Sequence, residues 1–426
     1  MGTLRQRPTT LVQPVTASAI ERRHLGELFV ELCRIESPSG LERACAARVT
    51  QELRGLGLEV HEDDAGVVAG SDCGNLLARI PARAARAVGG ETGRGLGHDP
   101  LDHGAMEDLE SRSTHPCVLL CAHLDTVPLQ APVEPVLEDG GWENANAGIL
   151  GADNKAAVAV MLALARRVCN EGAPVDIELL FTVGEERSLA GARALDLKRL
   201  GSDFGYVFDH ASPIGEIVVA APCHFRLDAD FRGAAAHAGI RPQDGSSAIL
   251  AAARAVSDMP LGRVNKDTTA NVGLIEGGSA INVVPERCSL TAEVRSLREQ
   301  DAEAVVAEMI DCIHEAANLP DCDCDVEVSV QRTFMAYETP SGNPAVRAAD
   351  AALRSCGYEP KRIHSGGASD ANALIAGGLT VVNLANGTER NHEPDERVSV
   401  AALEGMLDVA LALPDAVAAQ SALAAR

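Results

Sequence analysis

Three apolar runs in this chain each end in side chains able to ligate a metal, and that pattern narrows the fold sharply. Residues 117–122 are followed by His123 and Asp125. Residues 175–183, interrupted only by Asp176 and Glu178, deliver Gly184-Glu185-Glu186-Arg187, and residues 206–208 deliver Asp209-His210. Apolar runs of this kind read as strands buried on both faces. Three of them finishing in polar residues place a site at the carboxyl edge of an open α/β sheet.

The pairs at these strand ends have chemical reasons to exist. Residues two apart in an extended chain project the same way, so His123 and Asp125 share a face. An imidazole that ligates a metal needs its other ring nitrogen held by an acceptor, and a carboxylate serves; taken alone, His123 also reads as an ordinary loop residue. Glu185 and Glu186 point to different sides, so one can ligate while the other faces the water a metal activates. Two such carboxylates buried without a cation would repel. An exposed acidic turn is the other reading of that pair. Asp153, in Leu150-Gly-Ala-Asp-Asn-Lys, precedes an Ala-rich helix expected over 156–167. It reads as a ligand or as an N-cap.

Along the rest of the chain, residues 1–16 read as a loosely packed arm. Leu25, Leu28, Phe29, Leu32 and Ile35 fall at helical spacing, and a second helix carries Cys45, Val49 and Leu53 and stops at Gly55 and Gly57. A strand pair is expected around 58–68 and 76–80. From 82 to 114 the composition turns to Ala, Gly, Arg, Asp and Glu without periodicity. That stretch is too long for an ordinary loop and reads as a disordered surface insertion, with a lid as the alternative. Residues 129–148 are polar and rich in Gly and Asn.

The middle of the chain changes period. Residues 215–233 and 287–297 alternate apolar and polar, with Cys288, Leu290, Ala292 and Val294 on one face, as in half-exposed antiparallel strands. Helices over 246–256 and 299–317 and a strand over 326–334 complete an α+β unit inserted into the first domain. Beyond it come a helix over 344–356, the Gly-rich turn at 365–372, a strand over 380–384, the loop bearing Asn391-His392-Glu393, and a helix over 399–413. Candidate ligands on both sides of 215–331 require a discontinuous domain of residues 1–214 and 332–426.

Charge and composition exclude some partners. With 61 acidic against 37 basic residues the net charge is -24, which speaks against nucleic acid and anionic membrane surfaces. No stretch is long and apolar enough for a signal peptide or a membrane span, so a cytoplasmic protein is expected. Aromatic residues make up 3%, and the core must be built from Ala, Val and Leu. The twelve Cys are expected as buried thiols; Cys322 and Cys324 read as part of an acidic loop or as a soft-metal site.

Taken together the motifs resemble the cocatalytic zinc hydrolases that include aminoacylase, acetylornithine deacetylase, related carboxypeptidases and peptidase T, and most of all the peptidase T-like proteins. The resemblance rests on Ala-His-Leu-Asp-Thr-Val-Pro at 122–128, Leu-Gly-Ala-Asp at 150–153, Phe-Thr-Val-Gly-Glu-Glu at 181–186 and Phe-Asp-His at 208–210. It continues through Ala-Ala-His-Ala-Gly at 235–239, Glu-Gly-Gly-x-Ala-Ile-Asn-Val-Val-Pro at 276–285, Gly-Gly-x-Ser-Asp-Ala-Asn at 366–372 and the His392 loop. The resemblance implies a zinc-exopeptidase-like α/β fold, a mixed sheet flanked by helices, with 215–331 as a lid and dimerisation domain.

It further implies two divalent ions, zinc with cobalt or manganese as alternatives. His123 and Asp209 would complete one site, Glu186 and His392 the other, and Asp153 would bridge them. Asp125 would orient the site and Glu185 would be the general base. His237, which reads as a core or surface His without the resemblance, would stabilise the oxyanion in the site of a partner subunit, and Asn282 and Arg295 are further substrate-binding candidates. Arg295 can hold a carboxylate with two parallel hydrogen bonds, or simply face solvent. Asn154 stands where relatives often carry a second Asp, and residues 143–147 lack their Asp-Gly. Hydrolysis of short peptides from the amino terminus is the expected activity. An N-acyl amino-acid deacylase, a carboxypeptidase and a catalytically silent metal- or peptide-binding protein are the alternatives, the last opposed by Glu185, since a structural metal has no need of a base beside it.

Overall fold

The computed structural model describes residues 16–83 and 115–424. Nearly all of the expected arm and insertion lie outside those residues. The chain forms two compact units. The first comprises residues up to Val218, Pro340–Ile363 and those from Ser369 onward; the second is Val219–Thr339 with His364–Ala368.

The division falls inside a strand, Glu216–Ala221, and not at Gly215. Hydrogen bonding decides where. Ile217 and Val218 pair with Leu384 and Asn383 of the first unit, whereas Val219 accepts from the Thr339 amide and Ala220 from the Ser365 amide of the second.

In the first unit, Cys117–His123 lies parallel to Asp176–Thr182 on one side and to Phe204–His210 on the other. Val381–Ala385 extends the parallel set beside Phe204–His210. Leu76–Ile80 and then Val60–Glu62 close one edge antiparallel. Every residue of Cys117–His123 and Asp176–Thr182 is buried, and each fully buried Val or Leu contributes about 1.5–3 kcal/mol. The two acids interrupting the second run are satisfied where they stand. Glu178 accepts from Arg79 Nη2 at 2.6 Å and from the Gly201 amide at 2.9 Å, and Asp176 accepts from the Ala82 amide at 2.7 Å.

Small side chains let the Ala152–Glu171 helix bury every residue from Ala152 to Ala165. It packs against Cys117–His123 and between the helices Ala19–Cys33 and Val400–Ala424. Ala19–Cys33 begins at a capping box, Ser18 with Glu21, and buries Leu25, Leu28, Phe29 and Leu32 on one face.

Several elements depart from the sequence expectations. Residues 58–68 hold only the strand Val60–Glu62; Ala65–Ala69 is a short helix, started by Asp63 Oδ1 accepting from the Ala65 amide and closed by Gly70 at φ 68°. The polar stretch contains a hairpin, Pro135–Glu138 and Gly141–Asn144. Its turn, Asp139-Gly140, has φ of 46° and 75°, the dihedral signs of the tight turn that Asp-Gly favours. The last helix runs past Pro414 to Ala424, held by buried Leu413 and Val417.

The second unit is an antiparallel sheet in the order Gly262–Arg263, Thr268–Gly277, Arg287–Ser296, Cys223–Arg232, Asp325–Phe334. Helices Ala248–Asp258 and Glu299–Ala317 cover one face. Leu227, Phe231, Leu290, Val294, Met309 and Ile313 are the centre of its core. Strict alternation along Cys223–Arg232 leaves the other face polar. Thr268–Gly277 escapes sequence detection because it buries only its first residues and carries no sustained alternation.

All twelve cysteines are free thiols, nine of them buried. Cys324 Sγ donates to the Cys322 carbonyl at 3.1 Å, and Asp321 pairs with Arg254, which makes this segment an acidic loop. Among the described residues no helix is long and apolar enough to cross a membrane.

Candidate metal centre

Parallel register brings the strand ends to one level. His123 is opposite Thr182, and two residues beyond the last Cys121–Val207 pair His123 and Asp209 stand side by side. Asp153 arrives from the start of the Ala152–Glu171 helix, where Asp153 and Asn154 leave helical dihedrals. His392 arrives from the loop after Val381–Ala385, with its backbone in the left-handed region at φ 69°.

The aspartate between them divides its two oxygens. Asp153 Oδ1 lies 3.3 Å from His123 Nε2, and Asp153 Oδ2 lies 3.4 Å from His392 Nε2. Asp209 Oδ1 is 3.7 Å from His123 Nε2, and Glu186 Oε1 is 2.8 Å from His392 Nε2. Two donor sets result, His123/Asp153/Asp209 and Asp153/Glu186/His392, within each of which one donor atom per residue lies within 4.8 Å of the others. Glu185 joins a third grouping with His123 and Glu186. It is buried, on the same turn as Glu186.

That turn is held amide by amide. The N–H groups of Val183, Gly184, Glu185 and Glu186 donate in order to Asn75 Oδ1 at 3.1 Å, Glu42 Oε1 at 3.1 Å, Asp125 Oδ1 at 3.0 Å and Asp125 Oδ2 at 3.1 Å. Ser39 Oγ adds a 2.6 Å bond to Asp125. Asp125 therefore contacts both strand ends. Its backbone carbonyl lies 2.9 Å from His123 Nδ1, closer than its carboxylate at 3.4 Å. Fully buried, it touches His123 and the Glu185-Glu186 turn and no solvent.

Nothing in the local sequence singles out Glu42, Asn75 and Ser39. Each sits in a stretch whose local pattern reads as a helix start or a loop, and only the fold folds them under residues 183–186. Asp370 is another: it lies in the quoted Gly-rich motif without an assigned part. It is buried, accepts from Thr182 Oγ1, and keeps Oδ1 without a partner.

Electrostatics give the cluster its character. Among the described residues no Lys or Arg pairs with Asp125, Asp153, Glu185, Glu186, Asp209 or Asp370. Burial would depress the His123 imidazole, yet Asp125, Asp153 and Asp209 raise it well above its ordinary value. Asp153 and Glu186 push His392 up to about 10. Burial, with Asp153 nearby, pushes Asp209 up to about 7; burial and then Asp209 raise Glu185 well above the usual carboxylate range. The carboxylates outnumber the two imidazoles they crowd around, and burial raises Asp209 and Glu185, which leaves a donor set short of positive charge. Imidazole and carboxylate donors suit zinc, manganese or cobalt, and a divalent ion held by such a set would supply the missing charge.

His237, Asn282 and Arg295 belong to the second unit. His237 is exposed, with Nδ1 accepting from the Gly239 amide at 3.2 Å; the Asn282 carbonyl accepts from the Ala238 amide at 3.0 Å. Arg295 is engaged by Glu293, Nε at 3.2 Å and Nη2 at 3.0 Å.

Comparison with known proteins points one way. Residues 106–209 match the model of peptidase family M28 and residues 223–318 that of the peptidase dimerisation domain of M20 proteins. The uncharacterized protein YqjE of Bacillus subtilis is 32% identical over 395 residues, covering 92% of this chain and 98% of its own. The crystal structure of aminopeptidase PepT from Bacillus cereus superposes with a TM-score of 0.78 at 34% identity, over 93% of this chain and 99% of that one. A tripeptidase from Staphylococcus aureus gives a TM-score of 0.81 at 30% identity, with 93% and 99% coverage.

Proposed function

The chain belongs to the peptidase T-like M20 metallopeptidases, hydrolases of peptide bonds that use divalent metal, and from that premise we propose that it is a two-metal aminopeptidase removing the first residue of short peptides, tripeptides foremost. The observation that carries the reading is Asp153, whose two oxygens face two different histidines, each in its own donor set. His123, Asp153 and Asp209 would hold one ion, and Asp153, Glu186 and His392 the other, with zinc as the expected metal.

When bound, the ions acidify water and polarise the scissile carbonyl. Glu185 takes the proton from the attacking water and delivers it to the leaving amine. Its burial keeps the carboxyl basic enough for that exchange. Asp125 keeps His123 and the Glu185-Glu186 turn oriented, so neither must reorganise as charge develops. In the second unit, His237 and Asn282 are assigned to the oxyanion and substrate, and Arg295 to the peptide carboxylate. A cytoplasmic homodimer through the second unit completes the proposal, supported by the dimerisation-domain match.

The test is hydrolysis, by metal-loaded protein, of one tripeptide with free, acetylated or carboxyl-amidated ends. Cleavage only where the amino terminus is free, with release of the first residue, is expected. Acetate release from the blocked peptide would replace this reading with the deacylase, and release of the last residue would replace it with the carboxypeptidase.

A further inference from the structure

Four residues beyond His392 the same loop buries a second carboxylate, Glu396, which is 1% exposed. It meets no cation among the described residues. Its Oε2 accepts from the amides of Leu150 at 2.9 Å and Gly151 at 2.8 Å, and its Oε1 accepts from the amide of Asp153 at 2.8 Å. The segment it grips is the one that presents Asp153, turned by Gly151 at φ 74°. A carboxylate is acceptor-only and can take all three donors; no neutral side chain of that size can.

We infer that Glu396 is a positioning residue that ties the His392 loop to the Asp153 segment and so assembles the Asp153/Glu186/His392 donor set. The inference rests on the two-metal reading above. His123 and Asp209 stand on strands anchored by the sheet, with side chains 2% and 9% exposed. His392 stands on a loop with its side chain 50% exposed, and its backbone turns are local: the Glu393 amide bonds the Arg390 carbonyl at 3.1 Å, and the Glu396 amide bonds the Glu393 carbonyl at 3.0 Å. Glu396 is the point where that loop grips the segment carrying the shared ligand. Loss of the tie should therefore weaken one donor set more than the other.

Sequence gave no hint of this part. In His-Glu-Pro-Asp-Glu-Arg, Glu396 looks like one more solvated acid.

The experiment is a calorimetric titration of zinc into metal-free, full-length protein, comparing Glu396→Gln and Glu396→Asp with the parent chain and recording the melting temperature of each metal-free form. Gln offers one acceptor oxygen and turns an NH₂ donor toward the remaining amide; Asp keeps both oxygens but falls short by a methylene. Two ions are expected for the parent chain. For Glu396→Gln, the tighter step should stay within about threefold and the weaker step should lose about tenfold or more, the scale on which residues supporting a ligand act. Glu396→Asp should lie between. Equal weakening of both steps, or no weakening of either, overturns the inference. So does failure of both variants to fold, which assigns Glu396 to stability. A parent chain that binds fewer than two ions sinks the two-metal reading itself, a result visible before any variant is compared.

Discussion

The acids of the first unit's cluster and those on the open sheet face of the second unit are treated in opposite ways. In the second unit Glu293 receives Arg295 and, at 3.0 Å, His224; Asp228 receives Arg226 at 2.7 Å and Glu327 receives Arg232 at 3.0 Å. The hydrogen bond from His224, then Arg295, pulls Glu293 down to about 2. In the first unit, acids away from the cluster are paired as well, Glu52 with Arg48 and Arg166, and Glu404 and Asp408 with Arg22. Among the described residues, the carboxylates around Asp153 are buried facing imidazoles and one another. The paired acids named here face guanidinium groups, whereas those around Asp153 face none, a contrast a bound divalent ion would account for.

The largest effect that would sharpen this contrast is at Glu185. Glu185→Gln should cut kcat by about 10²–10⁴-fold while leaving zinc stoichiometry intact. A variant that keeps its rate would remove Glu185 from proton transfer. Chelation comes next. If the cluster is short of positive charge, metal at a hundred times its Kd stabilises the protein by about 2.7 kcal/mol, so stripping it should lower the melting temperature and re-addition should restore it. An unchanged melting curve would break the comparison.

Asp125→Asn should follow, at about 10–100-fold in metal affinity or activity, because the NH₂ group that replaces one carboxylate oxygen would face an amide that this oxygen now accepts from. The smallest effects belong to the second unit. Arg295→Met should change stability by less than about 1 kcal/mol, since the pair with Glu293 is part-exposed, yet raise KM for peptides with a free carboxyl end. Unchanged KM would release Arg295 from that part. The sign of the pH dependence is fixed by the depressed Glu293 carboxyl: its contribution is present above its ordinary value of 4.5 and is lost as pH falls toward about 2. Glu293→Gln should flatten that acid-side loss, read as melting temperature against pH.

Legibility in the sequence followed burial pattern. Cys117–His123, Asp176–Thr182 and Phe204–His210 are readable because strands covered on both faces are mostly apolar. The residues the structure gathers, His123, Asp153, Glu185, Glu186, Asp209 and His392, are ones the sequence points to: strand ends and a helix start mark all but His392 as candidates, and the family resemblance implies the full set. Thr268–Gly277 and the hairpin over 135–144 are not readable, since neither buries enough of one face to leave a period; Asp139-Gly140 is the one local signal that could have found the hairpin.

The sequence by itself determined the sheet, its inserted unit and the inventory of metal-competent side chains, because hydrophobic period and strand ends are written residue by residue. The tertiary structure alone decided what holds those side chains: that Glu42, Asn75 and Asp125 take four successive amides of one turn, and that Glu396 takes three of another. These bonds join residues separated by up to 246 positions. No local pattern marks such an acceptor, because a buried carboxylate serving backbone amides has the same sequence appearance as a solvated one.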